Sequence, residues 1–395
     1  MAQQVLVYRL TGSAASLGAI SVIAMIPLIP LALWGGSISD RFPRRTVVLI
    51  AQITMLLQAM IMAALCWTGT VQIWHVYVLA FMLGAAIAVD LPARQAFTVD
   101  LVDGKEDLTN AIGLNSAMFN GARAIGPALA GLAVAATGEG MAFFINGLTF
   151  LAVIASLIMM RNLPQPKPPQ EEVSTVEHMA GGVRFIAGNR IAAMLISLIG
   201  VSAFLSMPYS VLMPVYAKTV LKDSAQPIVN AICGGDHPLI QSCQSPEALP
   251  LGILLTAVGI GAVCGALYVA SQTDKVHRGT MLTVGNLAFP FMLLAFATSP
   301  SFIVSCVIML FTGFSFVLQN ALANTILQLI TPDEVRGRVM GLYTMTFQAT
   351  MRLGGLQAGL VSDWIGARLS VGIGAALSLV YGLFVAIRYP AIRKM

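Results

Sequence analysis

A short loop between two apolar stretches concentrates acidic and basic side chains. One carboxylate and three arginines fall within ten residues, Gly36-Ser37-Ile38-Ser39-Asp40-Arg41-Phe42-Pro43-Arg44-Arg45. A carboxylate at a helix end can pair with nearby bases or cap the N-terminus of another helix, which carries a partial positive charge. We predict a gating contact, made in one conformation and broken in another, that involves Gly36, Asp40, Arg41, Arg44 and Arg45. The simpler alternative is a basic loop that only fixes the orientation of the preceding helix.

Two arginines, Arg123 and Arg352, lie inside long apolar stretches. At about 1.5 Å per helical residue, each lies roughly 20 Å into an apolar layer about 30 Å thick. An unpaired arginine at that depth costs about 3 kcal/mol, so such residues usually face a bundle interior or a wet cavity. Two interpretations stay open. The pair binds an anionic or carbonyl-rich ligand, or it forms structural hydrogen bonds to helix carbonyls and to Asn115, Asn120 or Gln348.

Further polar side chains within apolar stretches have two interpretations each. Asp90 and Arg94 are four residues apart and share a helix face, which favours an ion pair. The alternative for Asp90 is proton coupling, since apolar surroundings can move a carboxyl group towards titration near neutrality. Asn320 and Asn324 also share a face, where they line a cavity or hydrogen-bond to neighbouring helices.

The cysteines Cys233 and Cys243 lie in a long polar loop, 218–249. We predict a disulfide between them if this loop faces an oxidising compartment. Asp236 and His237 lie between the two cysteines, but their spacing matches no common zinc pattern, so no metal site is predicted.

The elements that position these residues follow from the composition. The chain has 395 residues, of which 57% are hydrophobic and 10% charged, whereas soluble domains carry about 25% charged residues. The bilayer must therefore be the solvent, and segments that cross it must be helical to satisfy their backbone groups. We expect an all-α integral membrane protein with eleven full spans, at about 14–37, 46–68, 74–96, 109–137, 141–161, 190–217, 250–272, 280–299, 301–328, 337–363 and 366–388.

The loops between these spans differ in charge. Lys and Arg concentrate in every second loop, and the opposite loops hold only Arg9, Lys218, Lys222 and Arg368. By the positive-inside rule the cation-rich loops face the cytoplasm. The net charge of +5 therefore indicates membrane topology, and no nucleic-acid partner is expected.

A Pro-rich polar stretch divides the spans into two groups. We expect an N-terminal helix bundle at 1–161, a cytoplasmic linker at 162–189 and a C-terminal bundle at 190–395. The apolar run at residues 5–8 is too short to cross a bilayer, so the first helix of a twelve-helix arrangement is expected to be largely missing from the sequence.

The two groups repeat each other. Gly126 and Gly131 lie 228 residues before Gly354 and Gly359, and the loop 101–110 matches 329–338 at the same offset. A weaker copy of the basic loop runs from Asp274 to Arg278, and both residues join the predicted gating set. Parallel repeats of this kind are typical of transporters built from two pseudo-symmetric halves.

Several segments in order carry a family resemblance. They are Leu10-Thr11-Gly12-Ser13, Gly36-x-x-x-Asp40-Arg41-Phe42-x-Arg44-Arg45, Pro92-Ala93-Arg94-Gln95-Ala96, Asn110-Ala111-Ile112-x-Leu114-Asn115-Ser116 and Arg123-x-x-Gly126-Pro127-Ala128-x-Ala130-Gly131. The set resembles the branch of the major facilitator superfamily that contains enterobactin exporters, macrolide-efflux proteins and transmembrane secretion effectors. The resemblance implies the major facilitator fold, with two pseudo-symmetric six-helix bundles.

The resemblance also implies proton-driven export of a siderophore or a drug by alternating access. It equates Gly126, Pro127 and Gly131 with the fifth-helix motif of antiporters, although the spacing of the glycines differs. Many antiporters have an arginine four residues before a fourth-helix glycine. The matching position before Gly84 is Ala80, so that role is not carried over.

Other functions are weighed against export. A nutrient importer and a non-transporting, receptor-like relative are the alternatives. No Gly-x-x-x-x-Gly-Lys-Ser/Thr motif for an ATP-driven pump occurs. The histidines all lie at span edges or in loops, so they do not indicate a catalytic site. We expect no cofactor, a monomer in a bacterial inner membrane, and the lipid bilayer, a small-molecule substrate and protons as partners.

Overall fold

The computed structural model describes residues 1–28, 31, 43–100, 105–160, 175–234, 243–272 and 278–394. These residues form helices and no strand. The residues Gly36, Asp40, Arg41 and Asp274 of the predicted gating set lie outside the described part.

The helices before residue 161 are called the N-terminal helices. They are α1 (Ala2–Thr11), α2 (Ala14–Met25), α3 (Arg44–Trp67), α4 (Ile73–Asp100) and α5 (Lys105–Met159). Ser13 caps α2, because its side chain accepts a hydrogen bond from the Ser16 N–H. Gly138 has non-helical backbone angles, φ 77° and ψ 174°, so α5 consists of two helical stretches that meet at a kink there.

The helices after residue 174 are called the C-terminal helices. They are α6 (Thr175–Gly188), α7 (Arg190–Leu205), α8 (Tyr209–Val215), a π-helix (Tyr216–Val220), α9 (Lys222–Cys233), α10 (Ala248–Ser271), α11 (Arg278–Thr298), α12 (Phe302–Ile330), α13 (Asp333–Ile365), α14 (Ala367–Arg388) and a 3₁₀ turn (Pro390–Lys394). The side chain of Asn189 caps α7 by accepting from the N–H groups of Ile191 and Ala192. A turn at residues 206–208 separates α7 from α8.

In the described part of the chain, eight helical segments are long and apolar enough to cross a membrane. They match the predicted spans with two exceptions. The spans 109–137 and 141–161 share one continuous apolar segment, Ile125–Met159, and the spans 14–37 and 337–363 are not among the eight. The all-helical, multi-pass membrane architecture is confirmed, and the count of eleven stays a prediction.

Apolar side chains cover much of the outside of the helices. Large hydrophobic residues are exposed along α10, α12, α13 and α14, including Leu267, Ile303, Leu360, Val380 and Ile387. A soluble protein rarely exposes apolar surface so continuously, and lipid tails are the solvent that suits it.

Two helix pairs make most of the contact between the N-terminal and the C-terminal helices. Helix α2 packs along α13, and α5 packs along α10. We call these two contacts together the seam. The matching positions Gly126/Gly354 and Gly131/Gly359 of the sequence repeat lie on α5 and α13, so each helix of the repeat contributes to one side of the seam.

Candidate functional site

The seam closes tightly on the side of the membrane that carries few cations, which we call the outer side. Asp363, near the outer end of α13, accepts hydrogen bonds from the Ser13 hydroxyl (2.6 Å), the Ala14 N–H (2.7 Å) and the Ala15 N–H (3.1 Å). The first N–H groups of a helix have no partner within that helix. Asp363 thus caps α2 from the opposite group of helices, with a negative charge at the positive end of the helix.

Glycines allow the backbones of α2 and α13 to touch just below this cap. A Cβ atom on Gly18 would lie 2.6 Å from the carbonyl oxygen of Gly355, and one on Gly359 would lie 2.5 Å from the carbonyl oxygen of Ala14. No side chain fits at either distance, so the contact requires glycine.

The α5–α10 half of the seam is closed in the same way. A Cβ atom on Gly252 would lie 2.9 Å from the Gly131 Cα and 3.0 Å from the Pro127 carbonyl oxygen. The Ser245 N–H donates to the Ala135 carbonyl oxygen at 3.1 Å. Pro127 and Gly131 of the antiporter-like segment therefore form part of a helix contact at the outer half of the membrane.

Towards the inner side, glycines of α5 and α13 have no described neighbour. A Cβ atom added to Gly121 or Gly126 of α5, or to Gly337 or Gly341 of α13, would meet no described atom within 4 Å. Leu114, Met118 and Ile125 of α5 are exposed, with about 60% of each residue's surface accessible. The seam is therefore closed on the outer side, while most of residues 29–42, which follow α2 towards the inner side, lie outside the described part.

Arg352 lies on this seam. Its Nη1 donates to the Ser21 carbonyl oxygen of α2 at 3.3 Å, while its Nε is buried and has no hydrogen-bond partner among the described residues. Arg123 lies on α5, but its side chain is outside the described part, so the predicted pairing of the two arginines stays a prediction.

Other buried polar atoms without a partner were missed by the sequence analysis. They are Gln3 Nε2, Ser206 Oγ and Thr256 Oγ1 among the described residues. Leaving such a group unsatisfied costs about 1–3 kcal/mol, so each is a candidate to bind water or a ligand. Their signal in the sequence was a polar residue within an apolar run, and Ser206 begins the turn that separates α7 from α8.

Asp90 forms the predicted ion pair with Arg94. The Arg94 guanidinium binds the carboxylate through two nitrogens, Nε to Oδ2 at 3.0 Å and Nη2 to Oδ1 at 3.1 Å. Gln52 of α3 adds a third hydrogen bond to Oδ1 at 3.0 Å. Three hydrogen bonds therefore hold the Asp90 carboxylate, which agrees with the ion-pair interpretation.

The polar residues of α12 bond to other helices and to each other. The Tyr343 hydroxyl donates to the Asn320 carbonyl oxygen at 3.3 Å, and Gln328 donates to the Asn324 side chain at 2.7 Å. The neighbouring Gln319 joins three helices, since it donates to Asn286 of α11 (2.9 Å) and accepts from Ser202 of α7 (3.2 Å). This favours interhelical bonding over a cavity wall.

At the inner surface, the described members of the predicted gating set are Arg44, Arg45 and Arg278. The Arg45 Nη2 donates to the Ile158 carbonyl oxygen at 2.9 Å, which ties the start of α3 to the end of α5. This contact lies within the N-terminal helices. Asp40 itself lies outside the described residues, so the gating contact stays a prediction.

On the outer side, Cys233 and Cys243 form a disulfide with 5.6 Å between their Cα atoms. It connects the end of α9 to the segment that leads into α10. Asp236 and His237 lie outside the described part, and no cluster of metal-binding side chains occurs among the residues that are described.

The sequence profile of the transmembrane secretion effectors matches residues 1–230 and 237–394. The chain belongs to this family of the major facilitator superfamily. Its members are membrane transporters, so the family resemblance seen in the sequence is confirmed, and the chain is a transporter rather than an enzyme.

Relatives and solved structures agree with this assignment. The multidrug efflux pump Tap of Mycobacterium tuberculosis is 26% identical, over 99% of this chain and 88% of Tap. The enterobactin exporter EntS of Escherichia coli is 25% identical, over 88% of this chain and 74% of EntS. The crystal structure of the nucleoside transporter NupG has the same fold, with a TM-score of 0.71 at 14% identity over 98% of this chain and 93% of NupG.

Proposed function

We propose that this transporter exports small organic molecules across a bacterial inner membrane by alternating access. In this proposal the segments 1–161 and 190–395 are two bundles that move against each other, and 162–189 links them. The closed outer side of the seam carries the proposal. Helices that touch through glycine and the Asp363 cap at the outer side block entry from that side, so a substrate would enter from the inner side.

The arginine on the seam supports a binding site between the bundles. Arg352 reaches from α13 to the Ser21 carbonyl of α2 and keeps a buried N–H without a partner. A substrate carboxylate, catecholate or carbonyl oxygen would satisfy that N–H. By their names, one of the two efflux relatives exports a siderophore and the other exports drugs. We propose a siderophore or a drug-like molecule as the substrate class of this chain.

The outer contacts would then act as the gate that substrate must pass. Release to the outer side requires α2 and α13 to separate, which breaks the three hydrogen bonds to Asp363 and the glycine contacts below them. The Asp363 carboxylate thereby holds the transporter in the form that is open to the inner side.

Transport in proteoliposomes tests the proposal. We would measure movement of a catecholate siderophore and of a macrolide, with and without an imposed pH gradient, using protein-free liposomes as the control. Gradient-dependent export of one class is expected. Movement only in the opposite direction would point to an importer, and no movement by folded protein would point to a non-transporting relative.

A further inference from the structure

A cavity of about 500 Å³ opens on the outer side, directly above the closed seam. One wall is the end of α1, with Tyr8 and Arg9. The facing wall comes from the C-terminal helices, with Lys218 of the π-helix, Lys222 of α9 and Glu247 before α10. Its volume lies in the range of sites that hold small organic molecules.

Cations are concentrated in this cavity. The cation-poor loops hold only Arg9, Lys218, Lys222 and Arg368, and the first three line the cavity. Arg9 is committed to Glu139, with 3.0 Å between Nε and Oε1. In the described part of the chain neither lysine has a carboxylate partner, so two lysines face one carboxylate, Glu247, and the cavity keeps a positive charge.

A rare backbone feature directs one of these lysines. Residues 216–220 form a π-helix, in which the Leu221 N–H donates to the Tyr216 carbonyl oxygen at 2.9 Å. Such turns are rare and are frequently found at functional sites. Here Lys218 and Thr219 line the cavity, and the Lys218 Nζ lies 5.5 Å from the centre of the Tyr8 ring.

The remaining wall is apolar and is held in place covalently. Val229 of α9 and Pro250 of α10 line the cavity, and the Cys233–Cys243 disulfide ties the end of α9 to the segment before α10. Burial raises the pKa of the Tyr8 hydroxyl, and Asp363 adds to the rise. The hydroxyl therefore stays protonated and available as a donor.

We propose that this cavity is a binding site for a small organic anion with an apolar body. Lys218 and Lys222 bind the anionic group, while Tyr8, Val229 and Pro250 contact the rest of the ligand. Val5 and Leu251 are buried beneath the cavity, so the ligand enters from the outer side. The ligand touches both groups of helices, so its binding favours the form in which the outer seam is closed. The site does not depend on the direction of transport.

Direct binding tests the site without any transport assay. The protein in phosphatidylcholine nanodiscs is titrated with naphthalene-1,5-disulfonate, a water-soluble anion, in an isothermal titration calorimeter, and empty nanodiscs give the background. Saturable binding to wild type is expected. Lys218→Gln and Lys222→Gln should each weaken it about ten-fold, as expected for loss of a hydrogen bond to a charged group.

Matched variants distinguish binding at this cavity from nonspecific attraction of the anion to surface charge. Glu247→Gln should tighten binding, because it removes the one carboxylate among the described residues that line the cavity, and Lys218→Arg should retain it. Arg368→Gln removes the outer cation that lies outside the cavity and should leave binding unchanged. The proposal is overturned if folded wild type shows no saturable binding, if Arg368→Gln weakens binding as much as Lys218→Gln does, or if Glu247→Gln weakens it.

Discussion

Asp363 is the residue on which the closure of the outer seam depends most directly. Its carboxylate accepts three hydrogen bonds from residues about 350 positions away in the chain. An exposed carboxylate that caps a helix in its own group would only stabilise that group. This one connects the two groups, so under the proposed alternating access its strength would set the balance between the two conformations.

Asp363→Asn should open the outer side. The amide keeps an acceptor oxygen but loses the charge, which we expect to cost about 1 kcal/mol because the carboxylate is exposed to solvent and screened. That is about a five-fold shift in population. Spin labels would be placed at Thr70, between α3 and α4, and at Thr298, at the outer end of α11. In Asp363→Asn a larger share of molecules should show the long distance between the two labels.

The control for that substitution lies on the same helix. Asp333→Asn changes a carboxylate at the inner end of α13 that is 81% exposed and pairs with Arg336. The distances between the spin labels in Asp333→Asn should match those in wild type. Equal distance distributions for all three proteins would show that the cap does not hold the seam.

Arg352→Ala separates ligand binding from structural bonding. If the arginine binds substrate, transport of an anionic compound should fall more than about ten-fold while the amount of folded protein is kept, and Arg352→Lys should keep part of the activity. Arg336→Ala, at the exposed start of the same helix, is the control. A loss of folded protein, with unchanged transport per folded molecule, would assign Arg352 a structural role.

At the scale of elements, the contact of α2 with α13 depends on the absence of side chains. Two helices can bring their backbones together only where small residues line both faces. Gly18 and Gly359 supply that space at the outer half. The helix pair therefore closes tightly at its outer end.

Gly18→Val should prevent this closure, because its Cβ would meet the Gly355 backbone. The expected result is a protein that folds but shows the long outer distance between Thr70 and Thr298 and transports slowly. Gly341→Val places the same side chain on α13 at a position with no described neighbour within 4 Å, and it is the matched control. Wild-type distances in Gly18→Val would contradict the closed seam.

At the scale of the whole molecule, charge and helix order predict the topology. The loops that carry few cations also carry the disulfide and the anion cavity, and the cation-rich loops carry the basic segments. In a bacterium the first set would face the periplasm, where a disulfide persists.

Labelling in intact cells tests this orientation. A cysteine at Thr70, between α3 and α4, should react with a membrane-impermeant maleimide, in a background with Cys66, Cys264 and Cys306 replaced by Ser. A cysteine at Gly188, at the end of α6, should react only after the cells are permeabilised. The reverse pattern would invert the proposed direction of transport.

The sequence by itself determined what depends on local pattern. Hydropathy and charge predicted the helices and their topology, because the bilayer imposes both rules on every segment separately. Four-residue spacing predicted the Asp90–Arg94 pair, since a helix brings those positions together without help from the rest of the fold. The ordered motifs predicted the family.

Only the tertiary structure decided which distant residues meet. Asp363 with the start of α2, Gln52 with Asp90, and Gln319 with Asn286 join helices whose relative rotation no local spacing encodes. The same holds for the anion cavity, whose cations come from α1, the π-helix and α9. Packing of glycine against backbone sets these rotations, and that depends on both helices at once.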